Sequence, residues 1–182
     1  MHKNSIDHMG TLVSRYLDPE RALSIGDIGS YDYTGSYRSL FTAPAWSYTG
    51  IDLNAGPNVD VVLESPYKFP FPDAHFDVLV SGQAFEHVKF FWLTWMEMVR
   101  TLKPGGFIFL IAPSRGPEHR YPVDCWRFYP DGYRALAEYA GIECLEAHSD
   151  WAAYPWSRGR LWGDTVGAFA KPPDTLDGSS TR

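Results

Sequence analysis

The stretch that most constrains how this chain can fold runs from Ala22 to Tyr37 and reads ALSIGDIGSYDYTGSY. It begins as a short apolar run, continues as a loop rich in glycine, serine and aspartate, and ends in a short helical pattern that reaches Phe41. Strand, small-residue loop and helix in this order are typical of a nucleotide-binding turn in a parallel α/β sheet. Ligands of such sheets bind at the carboxyl ends of the strands, where the helix after the loop is expected to present free N–H groups.

Two acidic residues accompany this turn. Asp27 lies inside the first apolar run, and Asp52 ends the next apolar segment, Tyr48 to Ile51, so that the two acids are 52 − 27 = 25 residues apart. An acid at the tip of the second strand can accept hydrogen bonds from both hydroxyls of a ribose. We therefore predict that Asp52 binds a ribose, and that Asp27 bonds to backbone N–H groups of its own loop whether or not a ligand binds.

Composition and charge narrow the class of protein. The 182 residues are enough for one domain. A net charge of -6 without any cluster of Lys and Arg argues against nucleic-acid binding. The chain shows no signal-peptide pattern and no apolar run near the roughly 18 residues of a membrane span, which predicts a cytoplasmic protein without a membrane partner. Cys125 and Cys144 lack a CxxC spacing, so we predict ordinary buried thiols and no metal ligands.

Hydrophobic periodicity predicts strands that alternate with helices. An amphipathic helix is predicted over 5–18, and further helices over 90–102 and 131–140. Seven strands are predicted over 22–28, 46–53, 59–63, 76–81, 107–112, 142–147 and 165–170. The alternation predicts an α/β, Rossmann-like three-layer sandwich with a mostly parallel seven-stranded sheet. The last two strands have no helix between them, so the last should be antiparallel. We expect one domain over 1–170 and a disordered tail over 171–182.

Four stretches resemble, in order, the motifs of the class I S-adenosylmethionine-dependent methyltransferases, in particular small domains of the type 11 kind. They are the turn Ile25 to Gly29, the acid-terminated strand Thr49 to Asp52, the segment Phe69 to Val88, and the segment Glu97 to Gly106. The resemblance covers roughly residues 22–145. It implies a methyltransferase that acts on the oxygen or nitrogen of a small molecule, or of an accessible glycan or lipid group.

The resemblance also implies where S-adenosyl-L-methionine binds. The cofactor is expected at the carboxyl ends of strands one, two and four. Asp52 should hold the ribose, the Gly29–Ser30 backbone the methionine end, and the Glu64–Ser65 region the adenine. The full set of expected cofactor contacts is Asp27, Gly29, Ser30, Asp52, Leu53, Glu64, Ser65, Gly82 and Gln83.

One departure from the family pattern leaves an alternative open. The family spaces glycines as G-x-G-x-G, whereas Tyr31 and Tyr33 take the later positions here. Because only glycine tolerates positive φ at low cost, these tyrosines should push the loop outward or partly fill the pocket. The alternative is therefore a binding or scaffold protein without catalysis, although retention of both acids argues against it. A nicotinamide-binding protein would need G-x-G-x-x-G, which the loop does not supply.

Methyl transfer to a hydroxyl or amine also requires removal of a proton. The candidate bases are His87, after the fourth strand, and His119 and Asp124, in the loop after the fifth strand. A structural interpretation of Asp124, in which it pairs with an arginine and fixes the loop, is equally open. Arg120 and Arg127 are also candidates for binding an acidic acceptor.

Aromatic residues are concentrated in two connections. We predict that both connections meet as an aromatic wall around the acceptor, and the competing interpretation is the interface of a homodimer. The residues concerned are Tyr121, Trp126 and Phe128 after the fifth strand, and Trp151, Tyr154, Trp156 and Trp162 between the last two strands.

Overall fold

The structure is a computed structural model that describes residues 3–151 and 162–174. Three α-helices and seven strands are found in these residues. The helices are α1 (Lys3–Tyr16), α2 (Phe91–Thr101) and α3 (Pro130–Ala140). The strands are β1 (Leu23–Ile28), β2 (Trp46–Asp52), β3 (Val61–Val62), β4 (Phe76–Gly82), β5 (Leu102–Arg115), β6 (Glu143–Ser149) and β7 (Gly163–Ala170).

The seven strands form one sheet in the order β3-β2-β1-β4-β5-β7-β6. The pairs from β3 to β5 are all parallel, and β7 is antiparallel to both β5 and β6. This confirms the predicted Rossmann-like sheet with an antiparallel last strand. The strand order reverses between β1 and β4, and in open α/β sheets such a reversal leaves a crevice at the carboxyl ends of the strands.

The sheet is covered on both faces because side chains of successive strand residues point in opposite directions. Val78 and Val80 of β4 pack with α1 on one face, in a cluster that includes Met9 and Leu12. Leu79 packs on the other face with residues of α2 and α3. The two helices on that face are joined by a buried hydrogen bond from the Trp95 indole to the carbonyl of Leu136, 2.9 Å long. The result is the predicted three-layer arrangement.

Several predicted elements have different bounds. The helix expected after the first loop is a single 3-10 turn, Tyr37–Leu40, and the Ser36 hydroxyl accepts the N–H of Arg38 at its start. It therefore does not provide the free helix N-terminus that the sequence predicts. The third strand shrinks to Val61–Val62, because residues 56–60 form a turn in which Asp60 accepts the N–H of Gly50.

The first residue of the predicted tail, Lys171, is not disordered. The Lys171 backbone exchanges hydrogen bonds with Gly105 and Gly106, at 2.9 and 3.0 Å. Its ammonium group donates to the carbonyls of Val99 and Leu102 at the end of α2. Lys171 is therefore anchored, and residues 175–182 of the predicted tail lie outside the described residues. None of the described helices is long and apolar enough to span a membrane.

Candidate active site

A cavity of about 680 Å³ lies at the carboxyl ends of β1, β2 and β4, at the reversal of strand order. Residues from the first loop, from the end of β2 and from the segment after β4 form its walls. Lys3, Asn4 and Asp7 of α1 and part of the loop after β5 contribute the remaining sides. The predicted residues that line it are Gly29, Asp52, Leu53, Gly82, Gln83, His87 and His119.

Close backbone packing shapes the floor of the cavity. Gly29 has a positive φ of 83°, and a Cβ added to it would lie 2.4 Å from the Cβ of Ala84. Gln83 also has a positive φ, 57°, which is uncommon for a residue other than glycine. A Cβ on Gly82 would lie 1.9 Å from the hydroxyl oxygen of Tyr37. Glycines are thus required where the first loop and the end of β4 approach each other.

The backbone expected at the methionine end of the cofactor is already hydrogen-bonded. The N–H groups of Gly29 and Ser30 both donate to the carbonyl of Ile51, at 2.9 and 3.2 Å. Ser30 is buried and does not line the cavity, and its hydroxyl donates to the carbonyl of Asn58. The loop therefore cannot offer these N–H groups to a ligand, and Gly29 is the member of the pair that borders the cavity.

Asp52 ends β2 at the cavity wall, as the sequence predicts for a ribose-binding acid. Its carboxylate accepts the backbone N–H of Tyr31 at 3.2 Å and that of Asn54 at 3.0 Å. Two oxygens offer about four lone-pair positions, so the carboxylate keeps the capacity for two further donors. The two backbone bonds fix its position in the absence of a ligand.

Tyr31 and Tyr33 lie along the wall of the cavity. The ring of Tyr31 packs over Gly56, where a Cβ would come within 2.2 Å of it. The ring of Tyr33 is 4.5 Å from that of Tyr31 and 5.6 Å from that of Tyr121, and Tyr33 is 61% exposed. The tyrosines therefore leave a large cavity beside the loop.

The Glu64–Ser65 region, expected to hold the adenine, does not line the cavity. Glu64 is exposed, and the Ser65 hydroxyl accepts the N–H of Tyr67 within a tight turn, so neither lines the cavity. The residues that do line it are the apolar Leu63, Pro66 and Phe69. Leu63 and Phe69 belong to the core cluster on the α2 side, which explains why they point inward.

Asp27 does not contact the cavity or the amides of its own loop. Its side chain is buried and bonds to the hydroxyl of Tyr48 in β2, while its second oxygen has no hydrogen-bond partner among the described residues. Burial raises the pKa of Asp27 to about 7, an effect that the Tyr48 bond opposes and the charge of Asp52 reinforces. The predicted role of Asp27 in tying its own loop through N–H groups is therefore wrong.

Three polar side chains converge beside the cavity, in the segments that follow β4 and β5. Oε1 of Glu86 lies 3.6 Å from Nε2 of His87 and 4.0 Å from Nε2 of His119. Glu86 is fully buried, and neither of its oxygens has a hydrogen-bond partner within the described ranges. Burial raises its pKa to about 8. We call these three residues the Glu–His–His cluster.

Among the described residues, the second nitrogen is hydrogen-bonded in only one of the two imidazoles of the Glu–His–His cluster. Nδ1 of His87 lies 2.5 Å from the carbonyl oxygen of Val123, and a carbonyl only accepts, so Nδ1 carries a proton; in the neutral tautomer the lone pair is then on Nε2. Nδ1 of His119 lies 3.3 Å from Oδ2 of Asp124. Burial and the neighbouring His87 lower the pKa of His119.

Asp124 forms the ion pair that the structural interpretation of its sequence position describes. Arg127 donates to both of its carboxylate oxygens, at 2.6 and 2.8 Å, and the His119 backbone N–H donates at 2.7 Å. The Arg127 bonds hold the pKa of Asp124 well below its usual range. Such a carboxylate is a weak base, so this geometry favours a positioning role for Asp124. Arg120 pairs with Glu118 at the surface.

The aromatic wall is formed only in part by the residues expected. Tyr121 and Trp162 line the cavity, and the Trp162 ring meets His119 edge-on at 4.8 Å. Trp126 instead packs on Phe91 of α2. Phe128 is buried in the core, and Trp151 stacks on Tyr129 away from the cavity. The remaining members, at 154 and 156, lie outside the described residues.

The sequence did not single out the cavity residues from α1 or the importance of Glu86. Glu86 lies within the segment Phe69 to Val88 that carries the resemblance, and as an acid four residues after the end of β4 it belongs to the carboxyl edge of the sheet. Cys125, predicted to be a buried thiol, is exposed. The residues of α1 gave no signal, because their place over the cavity depends on packing between distant parts of the chain.

Comparison with known proteins agrees with this geometry. A family model described as "Methyltransferase domain" matches residues 27–110. An uncharacterized methyltransferase of Mycolicibacterium gilvum is 27% identical over 170 residues, which cover 82% of this chain and 64% of the relative. A phthiotriol/phenolphthiotriol dimycocerosates methyltransferase of Mycobacterium ulcerans is 37% identical over 84 residues, or 40% of this chain and 31% of the relative.

Solved structures share the fold at low sequence identity. The 1,6-didemethyltoxoflavin-N1-methyltransferase of Burkholderia thailandensis, determined with S-adenosylhomocysteine, has a TM-score of 0.71 at 16% identity and covers 92% of this chain and 78% of that one. A putative sarcosine dimethylglycine methyltransferase from Galdieria sulphuraria has a TM-score of 0.69 at 17% identity, with 93% and 86% covered.

With a methyltransferase-domain match over residues 27–110 and methyltransferases among its relatives, the chain is similar to the class I S-adenosylmethionine-dependent methyltransferases. It spans at most about two thirds (64%) of the length of the curated relatives quoted above. The matched segment contains Asp52, Glu86 and His87, whereas His119 and Asp124 lie beyond its end at residue 110.

Proposed function

We propose that this protein transfers the methyl group of S-adenosyl-L-methionine to an oxygen or nitrogen of a small molecule, or of an accessible glycan or lipid group. The observation that carries this proposal is the single cavity with two chemically different ends. Asp52 ends β2, whereas His87 and His119 follow β4 and β5, two and three strands away in the sheet, and we take these positions as the two ends of the cavity. A volume of about 680 Å³ lies within the ~300–1,000 Å³ of typical ligand sites.

The residues at the Asp52 end suit the cofactor. The free lone pairs of Asp52 would accept the ribose hydroxyls, and the apolar side chains of Leu63 and Phe69 would flank the adenine. Gly29, at the narrow floor, would lie beside the methionine part. When bound, the cofactor supplies a methyl group already activated on a sulfonium, so the protein has to position the acceptor and exclude water.

The residues at the histidine end suit the acceptor. Nε2 of His87 and Nε2 of His119 both face Glu86 at the cavity wall, and a neutral imidazole nitrogen in reach of a hydroxyl or amine can take its proton. Asp124 would hold His119 in the correct orientation through Nδ1. The rings of Tyr121 and Trp162 would shield this end from water.

The scaffold alternative depends on a filled pocket. It is less favoured than catalysis because Tyr31 and Tyr33 lie along the wall and leave the cavity beside them. The proposal includes a small-molecule acceptor, no nucleic-acid or membrane partner, and a cytoplasmic location. The competing interpretation of the aromatic residues, the interface of a homodimer, is tested by light scattering over a concentration series.

Transfer of a labelled methyl group tests the proposed function directly. The protein would be incubated with S-adenosyl-L-methionine labelled in the methyl group and with panels of phenols, amines, glycans and lipid diols. We expect label in at least one class of acceptor, and none when the cofactor product is added in excess. Binding of the cofactor without transfer to any panel would favour the scaffold alternative.

A further inference from the structure

We propose that the Glu–His–His cluster is a binding site for a divalent transition-metal ion, with Zn²⁺ as the ion that fits best. Two imidazole nitrogens and one carboxylate oxygen are a ligand set that zinc uses at sites with an open fourth position. The sequence predicts no metal ligands. The cysteines lack a CxxC spacing, and His119 is 32 residues from His87 along the chain, so no short motif joins the two histidines.

The distances are close to those of a tetrahedral site. Zinc bonds of about 2.0–2.2 Å imply ligand atoms about 3.4 Å apart. The Glu86 oxygen lies 3.6 and 4.0 Å from the two histidine nitrogens, and the ligand atoms of all three residues lie within 4.8 Å of one another. Small rotations of the two imidazoles would bring the three atoms to bonding distance of one ion.

The buried carboxylate is the independent observation that points to a ligand. Glu86 has no exposed surface, and neither side-chain oxygen has a hydrogen-bond partner in the part of the chain that the structure describes. Buried carboxylates are normally paired with a cation or coordinate a metal. The guanidinium of Arg127, whose charge acts to lower the pKa of Glu86, is held by the bidentate bonds to Asp124. A metal ion between Glu86 and the histidines would remove this deficit.

The surroundings of the histidines match those of metal-binding histidines. Such residues donate their second N–H to a carbonyl or a carboxylate, which fixes the ring and directs the other nitrogen at the ion. His87 does this with the carbonyl of Val123 at 2.5 Å, whereas Nδ1 of His119 lies 3.3 Å from Asp124, an ion-pair distance without a hydrogen bond. In both residues Nε2 is left to face Glu86.

The place of the site in the cavity gives it a role that rests on the proposed function. His87 and His119 line the cavity and Glu86 lies behind them, so the open coordination position would face the acceptor end. With the ion bound, the Nε2 lone pairs would be coordinated and could not act as bases. An oxygen of the acceptor would complete the coordination, and the ion would make the proton of that oxygen easier to lose to solvent. This favours acceptors with a hydroxyl, phenol or neighbouring carbonyl oxygen over simple amines, since zinc accepts oxygen ligands readily.

Calorimetric titration of the chelator-treated full chain with Zn²⁺ alone tests the site. We expect one equivalent to bind, with a rise in melting temperature. His119→Gln and Glu86→Gln should each weaken binding at least about tenfold. The matched control is His75→Gln, since His75 is exposed and precedes β4 at its opposite end. Co²⁺ should give the visible absorption of a four-coordinate site in the wild type and lose it in His119→Gln.

The proposal is overturned if the wild type binds no Zn²⁺ at micromolar concentrations, or if His119→Gln binds it as well as the wild type does. Should Glu86→Gln fail to fold, His119→Gln decides alone, because the His119 side chain is partly exposed. Binding of S-adenosylhomocysteine is measured on the same samples. If the wild type binds S-adenosylhomocysteine but no Zn²⁺, only the metal site is refuted. If it binds Zn²⁺ but no S-adenosylhomocysteine, only the cofactor assignment is refuted.

Discussion

The two ends of the cavity differ in how completely their polar groups are satisfied without a ligand. At the cofactor end, Asp52 accepts two backbone N–H groups, and the N–H groups of Gly29 and Ser30 bond to Ile51. At the acceptor end, the carboxylate of Glu86 has no hydrogen-bond partner among the described residues. The first end is therefore preorganised by the chain itself, whereas the second is incomplete until something binds.

The two ends of the cavity also differ in how far the methyltransferase family model covers them. The cofactor end lies wholly within residues 27–110, which match the methyltransferase family model. The acceptor end combines Glu86 and His87 from that segment with His119 and Asp124 from the loop beyond it. Loops placed on a rigid scaffold commonly carry specificity. This difference suggests that the acceptor is chosen by the loop after β5.

The largest effect is expected from His119→Gln. Removal of the imidazole should lower the rate of methyl transfer about 10²–10⁴-fold, the usual contribution of a proton-transferring or activating group. Affinity for S-adenosylhomocysteine should change by less than about twofold, because the residue lies at the other end of the cavity. Steady-state kinetics and calorimetry on the same protein provide the check, with His75→Gln as control. Equal losses in both quantities would break the separation of the two ends.

The second-largest effect is expected on stability, from Asp27→Asn in β1. The pKa of Asp27 is raised from 3.8 to about 7 in the folded protein, so its neutral form is favoured by folding. The contribution of the neutral Asp27 carboxyl group to the free energy of unfolding is complete below about pH 4 and is lost as the pH rises through 7. Asp27→Asn should therefore gain about 3 kcal/mol of unfolding free energy relative to wild type between pH 4 and 8.

Urea unfolding across this pH range, with the exposed Asp18→Asn as control, measures the effect. The groups near Asp27 that influence it are Tyr48, Asp52 and Arg38. Stability curves of wild type and Asp27→Asn that run parallel with pH would contradict a neutral buried acid.

Asp52→Ala sharpens the assignment of the cofactor end. Loss of a charge-assisted contact to the ribose should weaken binding of S-adenosylhomocysteine by roughly 1.5–3 kcal/mol. The melting temperature should fall only slightly, because the carboxylate caps exposed backbone and supports little packing. Asp18→Ala, at the amino ends of the strands, is the matched control. Unchanged affinity with a collapsed melting temperature would show that Asp52 is a structural residue.

The smallest effect is expected from Arg127→Lys in the loop of the acceptor end. Lysine keeps the charge but loses the bidentate bonds to the nearly buried Asp124, which should cost about 1–2 kcal/mol of stability. Arg134→Lys is a control of the same spacing, since Arg134 pairs with an exposed Asp131 three residues away and should lose less than about 0.5 kcal/mol. Equal effects measured by thermal unfolding would contradict the claim that this loop is held by the Asp124 pair.

The sequence predicted the sheet well because its strands are buried and strongly periodic. The run from Phe76 to Ser81 is apolar on both faces, and such a pattern has few alternatives. Ends of elements were less certain, since they depend on partners elsewhere in the chain. Leu102 begins β5 directly after α2 because it pairs with Phe76, and no local signal indicates that pairing.

The position of Asp52 in the cavity wall could be predicted, because an acid that ends a strand has one geometric role. The site was missed where the role of a residue comes from its surroundings. Asp27 and Glu86 are both acids near strand ends, yet burial, which a sequence shows poorly, decides that Asp27 bonds Tyr48 and that Glu86 faces two histidines. The contact of His119 with that cluster required the loop after β5 to fold back over β4.

Calorimetric titration of S-adenosylhomocysteine into the wild type tests the central claim that the cavity at the ends of β1, β2 and β4 binds the cofactor. The account predicts one binding site, an accompanying rise in melting temperature, and a substantial loss of affinity in Asp52→Ala but not in His119→Gln. No heat and no thermal shift at millimolar ligand would contradict the account, as would binding that Asp52→Ala leaves unchanged.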